Sequence, residues 1–330
     1  MTLDAQCGSS QQATSLAYAM VRAGVVEVAL ACGVESMSQV PMGSAIPPNA
    51  PSPLPAGYPT EWTSQFQGAE LIAAKWGLTR AELDDFGLRS QARAAAAWSA
   101  GSFDTQIVPV GPAKRDEGLR ETSAQALAGL KPIVGAGDPF VGPEPGRHTA
   151  ATASQISDGA AAVLVMSAAK AETLGLTPLA RIVDVCLVGS DPTLALTGPI
   201  PATQHLLSRN GLHQSDIDLV EINKAFAAVV PGLADLDRRQ PRDCQPQWRS
   251  DRSWSPTRCY RSGTAHQGRP RAEADTVQPC ARHDVLWRRI GNRHVARADL
   301  TPLPTGHRAA HPFSSAVVNG NAERSSPTAR

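Results

Sequence analysis

An alternation of short apolar strands with small-residue helices runs from about residue 8 to residue 230 and then breaks off. Between Gly8 and Gly24, Ala17, Met20 and Val21 give one apolar face, and Val26 through Ala31 reads as a short buried strand ending at Gly33. A Pro-rich run from Pro41 to Pro59 is too long for a simple connection and marks a functional excursion. Thr79 and Glu82 form a capping box that opens a helix to about Ser99, closed by Gly101. Strands over Ala160–Met166, Ala180–Leu187 and Ile217–Ile222, with helices near Ala168–Leu174 and from about Pro201, continue the pattern. Such alternation predicts a layered α/β protein whose helices cover its sheets.

A chain of 330 residues can bury one large core or two ordinary ones. No apolar stretch is long enough to span a bilayer, and polar residues rather than a basic and then apolar leader follow Met1. The six cysteines have neither metal-ligand spacing nor a paired framework. That usage suits a reducing compartment, so a cytoplasmic protein without a metal is expected. The formal net charge of +1 hides an asymmetry. Residues 1–230 hold 14 Lys and Arg against 21 Asp and Glu, whereas residues 231–330 hold 17 Arg, no Lys and nine acids.

The first candidate for chemistry is Cys7, in Gln6-Cys7-Gly8-Ser9-Ser10, immediately before a helix. A thiol there faces unpaired N–H groups and the positive end of the helix dipole, which favour thiolate over thiol. Gly8 lets a substrate approach the backbone closely, as a covalent acyl-enzyme needs. From position alone, an ordinary buried cysteine beside a helix cap remains the competing reading.

A run of motifs in order carries a family resemblance. Cys7-Gly8-Ser9-Ser10 and then Cys32-Gly33-Val34-Glu35-Ser36-Met37-Ser38 resemble the nucleophile segment and following strand–loop of thiolases. Phe86-Gly87-Leu88-Arg89-Ser90-Gln91, and Phe103-Asp104 through Ile107-Val108-Pro109-Val110, are similar to that family's loop-domain helix and exit strand. Ser154-Gln155-Ile156-Ser157-Asp158-Gly159-Ala160 resembles its coenzyme-A-side loop. Gly198-Pro199-Ile200-Pro201-Ala202 and Glu221-Ile222-Asn223-Lys224-Ala225-Phe226 follow in family order. The resemblance implies an acyl transfer between coenzyme A and a 3-ketoacyl-CoA, as in fatty-acid β-oxidation, by thiolytic cleavage or Claisen condensation. It makes Cys7 the acylated nucleophile, Asn223 the holder of an oxyanion-site water and Ser154 a neighbour of the pantetheine arm. Coenzyme A would be substrate, with no cofactor. The resemblance further implies a homo-oligomer, with neither a membrane nor a nucleic acid as partner. It leaves steroid, fatty-acyl and acetoacetyl substrates open.

The resemblance also implies a fold, the layered α/β/α/β/α arrangement of two similar halves, here incomplete at both ends. Residues 1–40 would be a remnant of the N-terminal half and 41–150 the loop domain over coenzyme A. Residues 151–178 would complete the N-terminal half, and 179–230 would begin the C-terminal half. Only six residues precede Cys7, so the opening strands are expected to be missing. Lys224 stands where the family carries glutamate, which places a cation beside the oxyanion site.

After about residue 230 neither helical nor strand periodicity survives, and a largely disordered tail is expected. The family's Gly-His-Pro base segment and Cys-x-Gly segment are not found there. His205, His213, His266, His283, His294, His307 and His311 all lack the flanking glycines. Shifted by one nucleotide with free codon choice, however, Gln245 through Arg261 can spell a run containing Gly-Leu-Gly-His-Pro-Leu-Gly, and His283 through His294 a run containing Cys-Cys-Gly. Trp248, Trp254 and Trp287 each force a glycine in that frame, where the family has one. A basic nucleic-acid-binding domain would carry Lys as well as Arg and a fold motif, and has neither. An out-of-frame tail, and with it an impaired enzyme or an acyl-CoA-binding remnant, is the expectation.

Overall fold

The computed structural model describes residues 1–44, 46–47, 49–50, 57–60, 63–217, 219–234, 285–288 and 319–322. A 3-10 turn at Gln6–Gly8 runs into helix α1, Ser9–Arg22, which Gly24 ends at φ 72°. Strand β1, Val28–Ser36, follows, and then helices α2, Gln65–Lys75, and α3, Arg80–Ser99. A short helix α4, Ala124–Ala128, precedes strand β2, Asp158–Met166, and helix α5, Ala168–Thr173. Helix α6, Pro199–Arg209, strand β3, Leu219–Ile222, and helix α7, Val229–Ala234, close the continuous part. Two short strands, β4 at Val285–Arg288 and β5 at Asn319–Ala322, pair with β3 and β2. The expectation of a disordered tail otherwise lies outside the described residues.

Local chemistry explains the helix starts. The Thr79 hydroxyl accepts the Glu82 amide at 3.2 Å while the Glu82 carboxylate accepts the Thr79 amide at 2.8 Å, so the capping box forms as its residues dictate. Ser64 and Gln67 form a second one on α2. Pro199 sits in the first turn of α6, where its missing N–H costs nothing.

The sheet is built on β1 and β2, antiparallel and in register from Val28 opposite Met166 to Ser36 opposite Asp158. This pairing carries β1 through Cys32 and Gly33 to Ser36, three residues beyond the expected end at Gly33. Asp158 fixes that end: it accepts the Ser38 amide at 2.8 Å and the hydroxyls of Ser36 and Ser38. Helix α1 lays Ala17, Tyr18 and Val21 against Ala31, Val163 and Val165. Leu179, Ile182 and Val185 pack onto the same core.

Ile182 and Val185 belong to the stretch expected to be a strand over Ala180–Leu187. That expectation is corrected: among the described residues the segment pairs with no strand. Ile182 and Val185, three residues apart, both turn inward, while Val183 is 62% and Leu187 75% exposed, so the in–out pattern departs from the two-residue period of a strand.

A second core joins α2 and α3 to the segment that follows β3. Ala69, Ile72, Ala73 and Leu83 pack with Leu196 and the run Ala225–Val229. Gly68 makes this approach possible, since a Cβ there would stand 2.7 Å from the Leu194 carbonyl oxygen.

Candidate active site

Cys7 is a half-buried free thiol in the turn that opens α1. The turn is held locally. The Ser9 hydroxyl donates to the Gln6 carbonyl at 2.7 Å and accepts the Ala5 amide at 2.9 Å, and Asp4 accepts the Gln6 amide at 2.8 Å. Gln6 lies at φ 54°, a left-handed conformation uncommon for a residue with a side chain. The N-cap is Gly8, which offers no side-chain acceptor to the first helical amides.

The second part of the site lies on the α2–α3 core. The Ser154 amide donates to the Ala225 carbonyl and the Ala227 amide to the Thr152 carbonyl, each at 2.8 Å. These two bonds lay the Thr149–Ser154 segment against the loop that begins at Asn223. Ser154 and Asn223, both half-buried, are therefore carried by adjoining chains. Within the segment Thr152 accepts the Thr149 amide at 2.8 Å and Thr149 accepts the Ala151 amide at 3.2 Å, so its shape is set by its own hydroxyls.

Topology relates the two parts. A helix that turns tightly into the next strand runs antiparallel to it, so the start of α1 and the end of β1 share one end of the sheet. Across the ladder the same end holds Asp158, four residues after Ser154. Cys7 thus opens its helix toward the end of the β1–β2 pair that holds Asp158, while Ser154 and Asn223 are joined through their own segments.

Lys224 is held against α3. It is 5% exposed, and its ammonium stands 4.6 Å from the centroid of the Phe86 ring on α3. Such a cation–π contact is worth about 0.5–2 kcal/mol. The lysine therefore fastens the Asn223 loop to α3. Gly87 next to Phe86 has the same effect, since a Cβ there would meet the Ala151 carbonyl oxygen at 2.8 Å.

One buried pair under this site escapes the sequence reading. Glu70 on α2 and His148 are each 1% exposed. The Glu70 carboxylate accepts the amides of Arg147 at 2.8 Å and His148 at 2.7 Å, and lies 3.1 Å from His148 Nδ1. Burial pushes the Glu70 carboxyl upward, but the His148 ring, the two amides and the attraction of His148 together outweigh it and hold it below the usual range. His148 Nε2 faces the Ala228 amide at 3.4 Å, and the Phe226 ring meets the imidazole edge-on at 5.4 Å. With both nitrogens engaged and the ring enclosed, His148 is not placed to serve as the missing base. His205 and His213 are exposed, as expected of surface histidines, and the other five lie outside the described residues.

Comparison with known proteins settles the ancestry. The description "Thiolase, N-terminal domain" matches residues 1–169, and "Thiolase, C-terminal domain" matches residues 176–237. The chain belongs to the thiolase family. It is 46% identical over 244 residues to the steroid 3-ketoacyl-CoA thiolase FadA6 of Mycobacterium tuberculosis, covering 70% of this chain and 58% of the relative. It is 41% identical over 250 residues to a 3-ketoacyl-CoA thiolase of Saccharophagus degradans, covering 72% of this chain and 61% of the relative. Among solved structures, the dimeric peroxisomal thiolase of Saccharomyces cerevisiae superposes with a TM-score of 0.65 at 28% identity, covering 75% of this chain and 64% of that one. The acetyl-CoA acetyltransferase of Bacillus anthracis gives 0.58 at 34% identity, covering 72% and 64%. The fold is the thiolase α/β fold. The chain spans about three-fifths of the length of these curated relatives, and the C-terminal match ends at residue 237.

Proposed function

We propose that this thiolase binds coenzyme A thioesters and takes their acyl group onto Cys7, with turnover impaired in the chain as it stands. The Cys7 sulfur attacks the carbonyl carbon of acetyl-CoA, the bond from that carbon to the coenzyme A sulfur breaks, and coenzyme A leaves as a thiolate that water protonates. In the thiolytic direction the attack falls on the 3-keto carbon of a 3-ketoacyl-CoA, and the acetyl-CoA enolate departs with the electrons of the broken carbon–carbon bond and takes a proton from water to become acetyl-CoA. Asn223 would position a water toward the developing oxyanion, and Ser154 would lie beside the pantetheine arm. Coenzyme A is substrate throughout, with no further cofactor. A cytoplasmic homo-oligomer is the expected setting.

The observation that supports this reading is the pair of bonds joining the Ser154 segment to the Asn223 loop. The names of the relatives support the 3-ketoacyl class. The test is peptide mass spectrometry after incubation with acetyl-CoA, beside an assay of acetoacetyl-CoA thiolysis. A hydroxylamine-labile acetyl group on Cys7, absent from Cys7→Ala, with only weak thiolysis, is the expected result. Tight binding of coenzyme A without any label would instead identify a binding remnant.

A further inference from the structure

Glu70 belongs to a helix of the expected loop domain, and His148 to the turn that leads into the Ser154 segment, 78 residues away. Three donors converge on one carboxylate: the Arg147 amide on Oε2, and the His148 amide and Nδ1 on Oε1. The imidazole then passes the constraint on, because its other nitrogen faces the Ala228 amide. With Nδ1 toward Glu70 and Nε2 toward the Ala228 amide, the orientation of the ring is fixed. Gly146 completes the seat, since a Cβ there would stand 2.6 Å from Glu70 Oε1.

The consequence is a closed frame. From α2 it runs through Glu70 to residues 147 and 148, along the Thr149–Thr152 turn to Ser154, across to Ala225 and Ala227, and back through Ala228 to the imidazole. Asn223 enters this frame two residues before Ala225. A buried charge would be costly in itself. Here its two oxygens are matched by N–H donors, so the frame is stiff.

We propose that Glu70 and His148 are positioning residues for acyl transfer, setting the separation of the Ser154 segment from the Asn223 loop while touching neither coenzyme A nor the acyl group. The proposal rests on the acyl-transfer reading above and deepens it. Oxyanion stabilisation depends on fixed donor geometry, and a displacement of about 1 Å costs on the order of a hundredfold in rate. Affinity for the pantetheine arm is less sensitive, being spread over a longer contact.

The experiment compares Glu70→Gln, His148→Gln and His148→Asn with the unaltered chain. Glu70→Gln replaces one acceptor oxygen by an NH2 group that must face a donor. His148→Asn keeps a donor toward Glu70 but not the reach to Ala228, and His148→Gln the reverse. Single-turnover acetylation of Cys7 by acetyl-CoA gives a rate constant and a half-saturating concentration. Hydrogen exchange at the Ser154 and Ala227 amides reports the frame without any chemistry. The expected result for Glu70→Gln is a rate constant roughly tenfold to a hundredfold lower at saturation, with half-saturation changed by less than about twofold. Exchange at Ser154 and Ala227 should quicken, and His148→Asn should be less affected than His148→Gln. Rate constants unchanged in folded variants, or a loss confined to half-saturation, would overturn the proposal. If the unaltered chain fails to acetylate Cys7, the acyl-transfer reading falls, and exchange alone decides on the frame. Unchanged protection in both Glu70→Gln and His148→Gln then refutes it, and lost protection upholds it.

Discussion

Substituting alanine for Gly87 tests whether α3 truly seats the Thr149–Ser154 segment. In an open helical position the change would stabilise by up to about 1 kcal/mol, because glycine is a poor helix former. Here the new Cβ would stand 2.8 Å from the Ala151 carbonyl oxygen and 3.5 Å from its carbon. The obstacle is main chain, held by the Ala151 amide on the Thr149 hydroxyl and by the Thr152 hydroxyl on the Thr149 amide and carbonyl. Backbone so anchored does not yield as the tip of a flexible side chain would. Overpacking of this kind costs about 1–3 kcal/mol. Set against the helix gain, a net loss of about 1 kcal/mol follows, or a fall in Tm of roughly 2–4 °C for a chain of this size. Gly135 is the control: a Cβ there meets nothing within 4 Å and its φ is not left-handed, so Gly135→Ala should be neutral or raise Tm. Thermal melts by circular dichroism decide between the two. A Tm that rises for Gly87→Ala as for Gly135→Ala would refute the close approach of α3 to the Ser154 segment.

The acid limb of stability should be steep. Burial raises the Asp158 carboxyl, but the hydroxyl and amide of Ser38, with Ser36 and Met37, bring it below its ordinary value, and Glu70 is lowered as well. Groups depressed on folding stabilise above the unfolded carboxylate range and lose that contribution as pH falls through their folded values. Melts taken from neutral pH downward should therefore show a falling Tm, and Glu70→Gln should flatten that fall. Lys224→Met keeps the volume but removes the charge over Phe86, and should cost about 0.5–2 kcal/mol in a urea melt. A stabilised variant would contradict the cation–π assignment. On β1, Leu30 is 61% and Val34 79% exposed, so Leu30→Thr with Val34→Thr should lower light scattering at a given concentration. Reading the gene across codons 229–245 should reveal a one-nucleotide change that restores the Gly-His-Pro and Cys-x-Gly segments. An intact frame whose true codons do not spell them would dispose of that idea.

Legibility in the sequence follows how local each cause is. The start of α3 was readable because Thr79 and Glu82 are three residues apart and cap each other. The same logic on Ser64 and Gln67 marks α2, a signal present in the sequence but passed over beside the proline-rich run. The Ala180–Leu187 stretch shows the limit of pattern, since its apolar residues report burial against a core and not a hydrogen-bonded partner. Glu70 and His148 lie further still from what a pattern can show. Neither residue stands in a motif, and the pairing between them is made only when α2 folds across the turn at residue 148. Lys224 was legible as a departure but not in its consequence, because Phe86 lies 138 positions earlier in the chain.

The two directions of the proposed chemistry ask different things of the chain. Acylation of Cys7 by acetyl-CoA expels a thiolate, whose conjugate thiol has a pKa near about 8.5 by analogy with cysteine. That leaving group departs as a stable anion and needs no acid beside it. Cleavage of a 3-ketoacyl-CoA expels a carbon centre instead, and turnover then requires a proton delivered at that carbon. Among the described histidines, His148 has both nitrogens committed inside the frame, while His205 and His213 stand on the surface. The first step asks only that Cys7 give up its thiol proton to solvent, whereas the second needs a proton placed at carbon. Label should accordingly accumulate on Cys7 up to stoichiometry while thiolysis stays slow, a combination that neither an intact thiolase nor a mere coenzyme-A-binding remnant would give.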